Sequence, residues 1–87
     1  MRSQDEIVGV VAGVIREEFD PKGQLQGIGA TTPLFKGGVE LDSFAIVELI
    51  SHLEAKLAFE FREADFREEH FRDVGALSAL IRGYVNG

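Results

Sequence analysis

The chain has 87 residues, ten of them glycine and none cysteine, with 15 acidic and 9 basic side chains and a formal net charge of −6. That length gives one small domain with no room for a deep catalytic cleft, and the missing cysteines exclude disulfides, thiolate nucleophiles and sulfur-ligated zinc. The acidic balance opposes binding to a nucleic-acid backbone and favours partners with basic surfaces.

A hydrophobic share of 45% beside 28% charged residues is ordinary globular usage, so a packed fold is expected. The longest apolar run, Ile7 to Ile15, is nine residues with two glycines, against roughly 20 for a membrane span. Asp5 and Glu6 stand where a signal peptide needs basic residues. The expectation is a cytoplasmic, monomeric protein that does not insert into membranes.

In Gln4 to Phe19, the residues Ile7, Val8, Val11, Val14, Ile15 and Phe19 recur every three or four positions and predict an amphipathic helix. Ser3 is its N-cap, and Asp5 and Glu6 suit the positive end of its dipole. Gly9 and Gly13 lower its propensity and are open to a close-packing role against another helix. Asp20-Pro21 ends it.

Residues 20–41 form a long glycine-rich connection without helical period. Leu25, Ile28, Leu34, Phe35, Val39 and Leu41 are expected to pin it to the core, giving an ordered loop. Gly27-Ile28-Gly29 and Gly37-Gly38 complete neither a dinucleotide fingerprint nor a phosphate loop, and are read as sources of flexibility.

A second helix is predicted over Ser43 to Leu57, capped by Asp42 or Ser43. Ile46, Leu49, Ile50, Leu53 and Leu57 share its core face. A neighbouring face mixes Phe44 and Val47 with Glu48, Ser51, Glu54 and Ala55, while Ala45, His52 and Lys56 hold the remaining side. Phe44 has two readings, packing against the loop or anchoring a partner.

Phe59 and Phe61 alternate with polar residues in a short extended stretch. Asp65 is expected to cap a short helix through Phe71, with Phe66 and Phe71 as anchors. Asp73 caps a last helix, Val74 to Val85, with Val74, Leu77, Leu80, Ile81 and Tyr84 inward. Arg62, Arg67 and Arg72 alternate with acids and read as local ion pairs.

Asp42-Ser43-Phe44, opening a helix that continues through Val47-Glu48-Leu49, resembles the Asp-Ser-Leu motif of acyl carrier proteins. The order of helix, long loop, motif and later helices extends the resemblance over nearly the whole chain. It implies an all-α four-helix bundle, with three longer helices, one short third helix and a long first loop, forming a single carrier domain over residues 1–87. It also implies a non-catalytic protein bearing 4′-phosphopantetheine, from coenzyme A, on Ser43. Asp42 would then belong to the attachment site, and an acyl intermediate would ride as a thioester in fatty-acid, polyketide or related biosynthesis. The implied partners are a phosphopantetheinyl transferase and an acyl- or aminoacyl-activating ligase, ketosynthase or acyltransferase, docking on Phe44, Val47, Glu48, Ser51 and Glu54.

Independently of the resemblance, a serine at a helix start lies beside unpaired N–H groups and the positive dipole end, which suits an attached phosphodiester. Residues 36–60 carry five acids and two bases. Glu40 stands where many fatty-acid carriers have glycine, and Ala45, Ser51 and Ala55 make the helix less acidic than theirs. The stretch Asp65 to Phe71, with Leu34-Phe35 and Gly38, resembles D-alanyl and other aminoacyl carriers, so an aminoacyl carrier is one alternative. An unmodified helical adaptor, with Ser43 merely capping, is another. A serine hydrolase is disfavoured, because nine helical residues put Ser43 and His52 about 13 Å apart. His52 and His70 lack metal-ligand spacing, and no metal site is expected.

Overall fold

A computed structural model describes residues 2–25 and 27–86. The single-domain reading of 1–87 also takes in Met1 and Gly87, and the long connection takes in Gln26; these three lie outside the described residues. The chain folds as α1 (Gln4–Phe19), α2 (Ser43–Leu57) and α3 (Val74–Asn86), with two 3₁₀ turns, Glu63–Asp65 and Glu68–Phe71, between α2 and α3. The expected all-helical class is observed, and among the described residues the one isolated bridge pairs Pro33 with Asp73. The expected short third helix is not a single helix but these two 3₁₀ turns.

α1 begins in a capping box: Ser3 Oγ accepts from the Glu6 N–H at 3.1 Å, and Glu6 Oε1 accepts from the Ser3 N–H at 3.3 Å. Its buried residues are Ile7, Val11, Ala12, Val14 and Ile15; Val8 and Phe19 are only half buried. Against the close-packing reading, a Cβ added at Gly9 or Gly13 would meet nothing within 4 Å. These glycines therefore only weaken the helix. The α1 start is tied to α3 at both ends: Gln4 Nε2 donates to the Gly75 carbonyl at 3.1 Å, and Arg2 exchanges two hydrogen bonds with Asn86. Near the other end of α1, Glu18 pairs with His52 and Glu17 with Lys56 of α2, at 3.5 and 3.8 Å. All four side chains are solvated, so the pairs add little stability.

The connection after α1 is ordered by polar contacts as well as by burial. Asp20, buried at the α1 terminus, accepts from the Gln24 N–H with Oδ1 at 2.9 Å and from the Leu25 N–H with Oδ2 at 2.8 Å. Ile28, Leu34 and Leu41 are buried as expected, but Phe35 is exposed and does not pin the loop. Residues 30–34 run alongside the start of α3, where the Val74 N–H donates to the Thr32 carbonyl and the Gly75 N–H to the Ala30 carbonyl. Asp73 completes that terminus as expected, its Oδ1 accepting from the Ala76 N–H at 2.7 Å.

Residues 33–41 then fold back on themselves, with Val39 donating to Pro33, Glu40 to Phe35 and Leu41 to Leu34, each at 2.9 Å. Gly38 is not there for flexibility: an added Cβ would lie 2.1 Å from the Pro33 carbonyl oxygen.

Between α2 and α3, Phe59, Phe61, Phe66, Phe71 and Tyr84 form a continuous ring cluster with centroids 4.8 to 5.9 Å apart. The rings hold a segment that has no α-helical hydrogen bonding of its own. Asp65 is not a helix cap there, because Arg62 precedes the first turn; Asp65 instead accepts from the Tyr84 hydroxyl. In α3, Leu80 and Tyr84 are half buried, and Ser78 takes a fully buried place in the stripe with no hydrogen-bond partner among the described residues.

Glycine substitutions separate these environments. Gly9→Ala and Gly13→Ala should each raise stability by about 1 kcal/mol, whereas Gly38→Ala should cost about 3 kcal/mol through backbone overlap. Urea unfolding followed by circular dichroism measures all three.

Candidate functional site

The candidate site begins where the folded-back loop delivers Leu41 into the core and leaves the next residues at the surface. Asp42 is the N-cap of α2, with extended backbone, and its Oδ1 accepts from the Ala45 N–H at 2.8 Å. Ser43 is therefore the first helical residue and not the cap. Its side chain is exposed and makes no hydrogen bond to another described residue. A carboxylate oxygen thus already engages one of the free amide groups of the terminus, and an exposed hydroxyl sits beside the others.

Just before it, Glu40 holds a left-handed backbone, φ 59°. A left-handed backbone is the conformation that glycine adopts without steric cost. A side chain in this region costs roughly 1 kcal/mol, which the Glu40 N–H to Phe35 carbonyl bond and the flanking loop bonds offset.

Burial divides α2 as expected: Ile46, Leu49, Ile50, Leu53 and Leu57 face the core. Phe44 is 81% exposed and Val47 53%, so the loop-packing reading of Phe44 does not hold. Glu48, Ser51 and Ala55 are exposed beside them. Glu54 differs from these: it is half buried, and its Oε2 accepts from the Phe61 N–H at 2.8 Å. That bond fixes the chain as it leaves α2, so Glu54 is part of the framework more than of an open docking face. Hydropathy alone places Phe35 in the core, but its ring is exposed on the loop preceding the serine. Its place on a folded-back surface loop is set by backbone hydrogen bonds within residues 33–41, which hydropathy does not encode.

Among the described residues no histidine or carboxylate hydrogen-bonds the Ser43 hydroxyl as a general base would. His52 pairs with Glu18 on α1, and among the described residues no three His, Cys, Asp or Glu side chains cluster to hold a metal ion. No described helix is long and apolar enough to cross a membrane. The surface combines an exposed hydroxyl at a helix start, two exposed apolar side chains within the first turn and a half, and carboxylates from Asp42 and Glu48. Such a surface can accept a covalent group and present it to a partner.

A family model described as "Phosphopantetheine attachment site" matches residues 5–81. No curated protein matches the chain.

The division of labour between neighbours is measurable. Asp42→Ala should lower stability by about 1 kcal/mol through loss of the cap. Ser43→Ala should leave the unfolding midpoint unchanged, since the serine hydroxyl does no capping.

Proposed function

The chain belongs to the phosphopantetheine attachment site family, and from that premise we propose that Ser43 is the attachment residue of an acyl carrier protein. Members of this family are non-catalytic carriers that bear 4′-phosphopantetheine covalently and work with a phosphopantetheinyl transferase and biosynthetic enzymes. The observation that carries the assignment to Ser43 is the capping of α2 by Asp42, which leaves the serine hydroxyl exposed and uncommitted.

The residues present fit such a group. The hydroxyl projects beside the first-turn amides, where phosphodiester oxygens are stabilised by N–H groups and the helix dipole. When bound, the group supplies a terminal thiol on which a carried acid is held as a thioester. Asp42 fixes the first turn and Glu40 closes the loop behind it. Phe44, Val47, Glu48 and Ser51 then form the surface on which a partner enzyme docks, with apolar anchors at its centre and charge towards its rim. The whole chain acts as one carrier domain in fatty-acid, polyketide or related biosynthesis.

A second reading, an aminoacyl carrier loaded by an adenylating ligase, rests on the resemblance of Asp65 to Phe71, with Leu34-Phe35 and Gly38, to such carriers. On the docking surface, Phe44 and Val47 are the exposed large hydrophobic side chains, and Glu54 is already engaged by Phe61. Partners recognising this face would rely on an apolar pocket more than on a row of basic residues.

Incubation with coenzyme A and a broad-specificity phosphopantetheinyl transferase should add one arm, seen by intact-protein mass spectrometry, and Ser43→Ala should abolish the addition. With no cysteine in the chain, one titratable thiol should appear per modified molecule. An unchanged mass with several active transferases would leave the adaptor reading standing. For docking, Val47→Asp should raise the KM of the loading enzyme about tenfold with kcat retained, as loss of one buried apolar anchor implies.

A further inference from the structure

A second polar group lies away from Ser43, on the segment that follows the far end of α2. The 15 residues of α2 put Ser43 about 22 Å along the helix axis from the α2 C-terminus. There Arg62, Asp65, Leu80, Gly83 and Tyr84 line an open cleft of about 250 Å³. Its polar part is built from three residues. The Tyr84 hydroxyl donates to Asp65 Oδ2 and accepts from the Arg62 backbone N–H at 2.9 Å. The Arg62 guanidinium carbon lies 5.5 Å from the Tyr84 ring centroid, and its Nε is 3.7 Å from Asp65 Oδ2.

The arrangement has the elements of a cation site: an aromatic face, a carboxylate and an apolar wall. Asp65 Oδ1 receives no hydrogen bond from another described residue, so the carboxylate has accepting capacity left. The chain's own guanidinium occupies the site loosely. The Arg62 side chain is 77% exposed, and 3.7 Å is beyond hydrogen-bond range. What anchors residue 62 is its backbone N–H, which a change of side chain leaves in place. Contact with Tyr84 first, and the Asp65 carboxylate second, hold the Arg62 guanidinium above its ordinary pKa.

We propose that the Tyr84 ring and the Asp65 carboxylate form a docking site for an arginine or lysine side chain of a partner enzyme, with Arg62 as a displaceable placeholder. A partner's side chain suits the position better than the end of a carried arm. The cleft opens to solvent far along α2 from Ser43, and a net charge of −6 draws basic surfaces towards the whole chain. This reading does not depend on Ser43 being modified.

The chain has one tyrosine and no tryptophan, so intrinsic fluorescence reports on this site alone. Titration of the full chain with N-acetylarginine amide should change Tyr84 emission saturably, and the uncharged citrulline analogue should not. Arg62→Ala should tighten the arginine probe about three- to sixfold, because removing a self-contact of exposed cation–π strength frees the site. Asp65→Asn, whose amide oxygen still accepts from Tyr84, should weaken it. Equal response to both probes, or unchanged affinity in Arg62→Ala, would overturn the proposal. So would a Tyr84 response to an aminoacyl-loaded arm equal to that given by the probe, which would assign the cleft to the carried group.

Discussion

The N–H groups that open α3 organise most of this small domain. A helix start leaves amides that its own turns cannot satisfy. Here Thr32, Ala30 and Asp73 take the first three of them. By doing so the long connection is fastened to α3, and the Leu34 N–H to Arg72 carbonyl bond continues the attachment. The loop must then turn back within a few residues to reach α2. That requirement leaves no room for a Cβ at Gly38 unless the backbone shifts, and Glu40 takes a left-handed conformation. The position of Ser43 at the surface is the outcome of that fastening, although the serine itself contacts none of these groups.

Much of this was readable from local pattern. The three helices, the caps at Ser3 and Asp73, and the core stripe of α2 follow from spacing and from residue types that satisfy free amides, which act over a few residues. The segment between α2 and α3 was less legible. Asp65 has the local look of a helix cap, but the Tyr84 hydroxyl lies 19 positions away and claims it. Five aromatic rings then stabilise tight turns where local propensity favoured a short helix. Glu54 shows the same limit: an acid on a predicted solvent face is claimed by a backbone amide seven residues on. The choice of Asp42 over Ser43 as cap, which leaves the serine hydroxyl uncommitted, is a one-residue offset that either side chain would permit.

The charge of the chain is also distributed less simply than its total suggests. Around Ser43 the most prominent side chains are apolar, with Asp42, Glu40 and Glu48 at the margins. Elsewhere, acids are engaged by the framework: Asp20 and Asp73 by amides, Glu54 by Phe61, Asp65 by Tyr84. An acidic carrier can therefore present a surface that discriminates by shape, while its residual field brings basic partners within reach.

The capping arrangement at α2 has one more result, which concerns the lifetime of the protein in a cell. Since Asp42 holds the helix start, a group esterified to Ser43 would displace none of the hydrogen bonds that cap α2. Bare and loaded forms would then open at similar rates and offer proteases the same target. On the proposed attachment at Ser43, the pool of carrier would be filled and emptied without turnover selecting for either form.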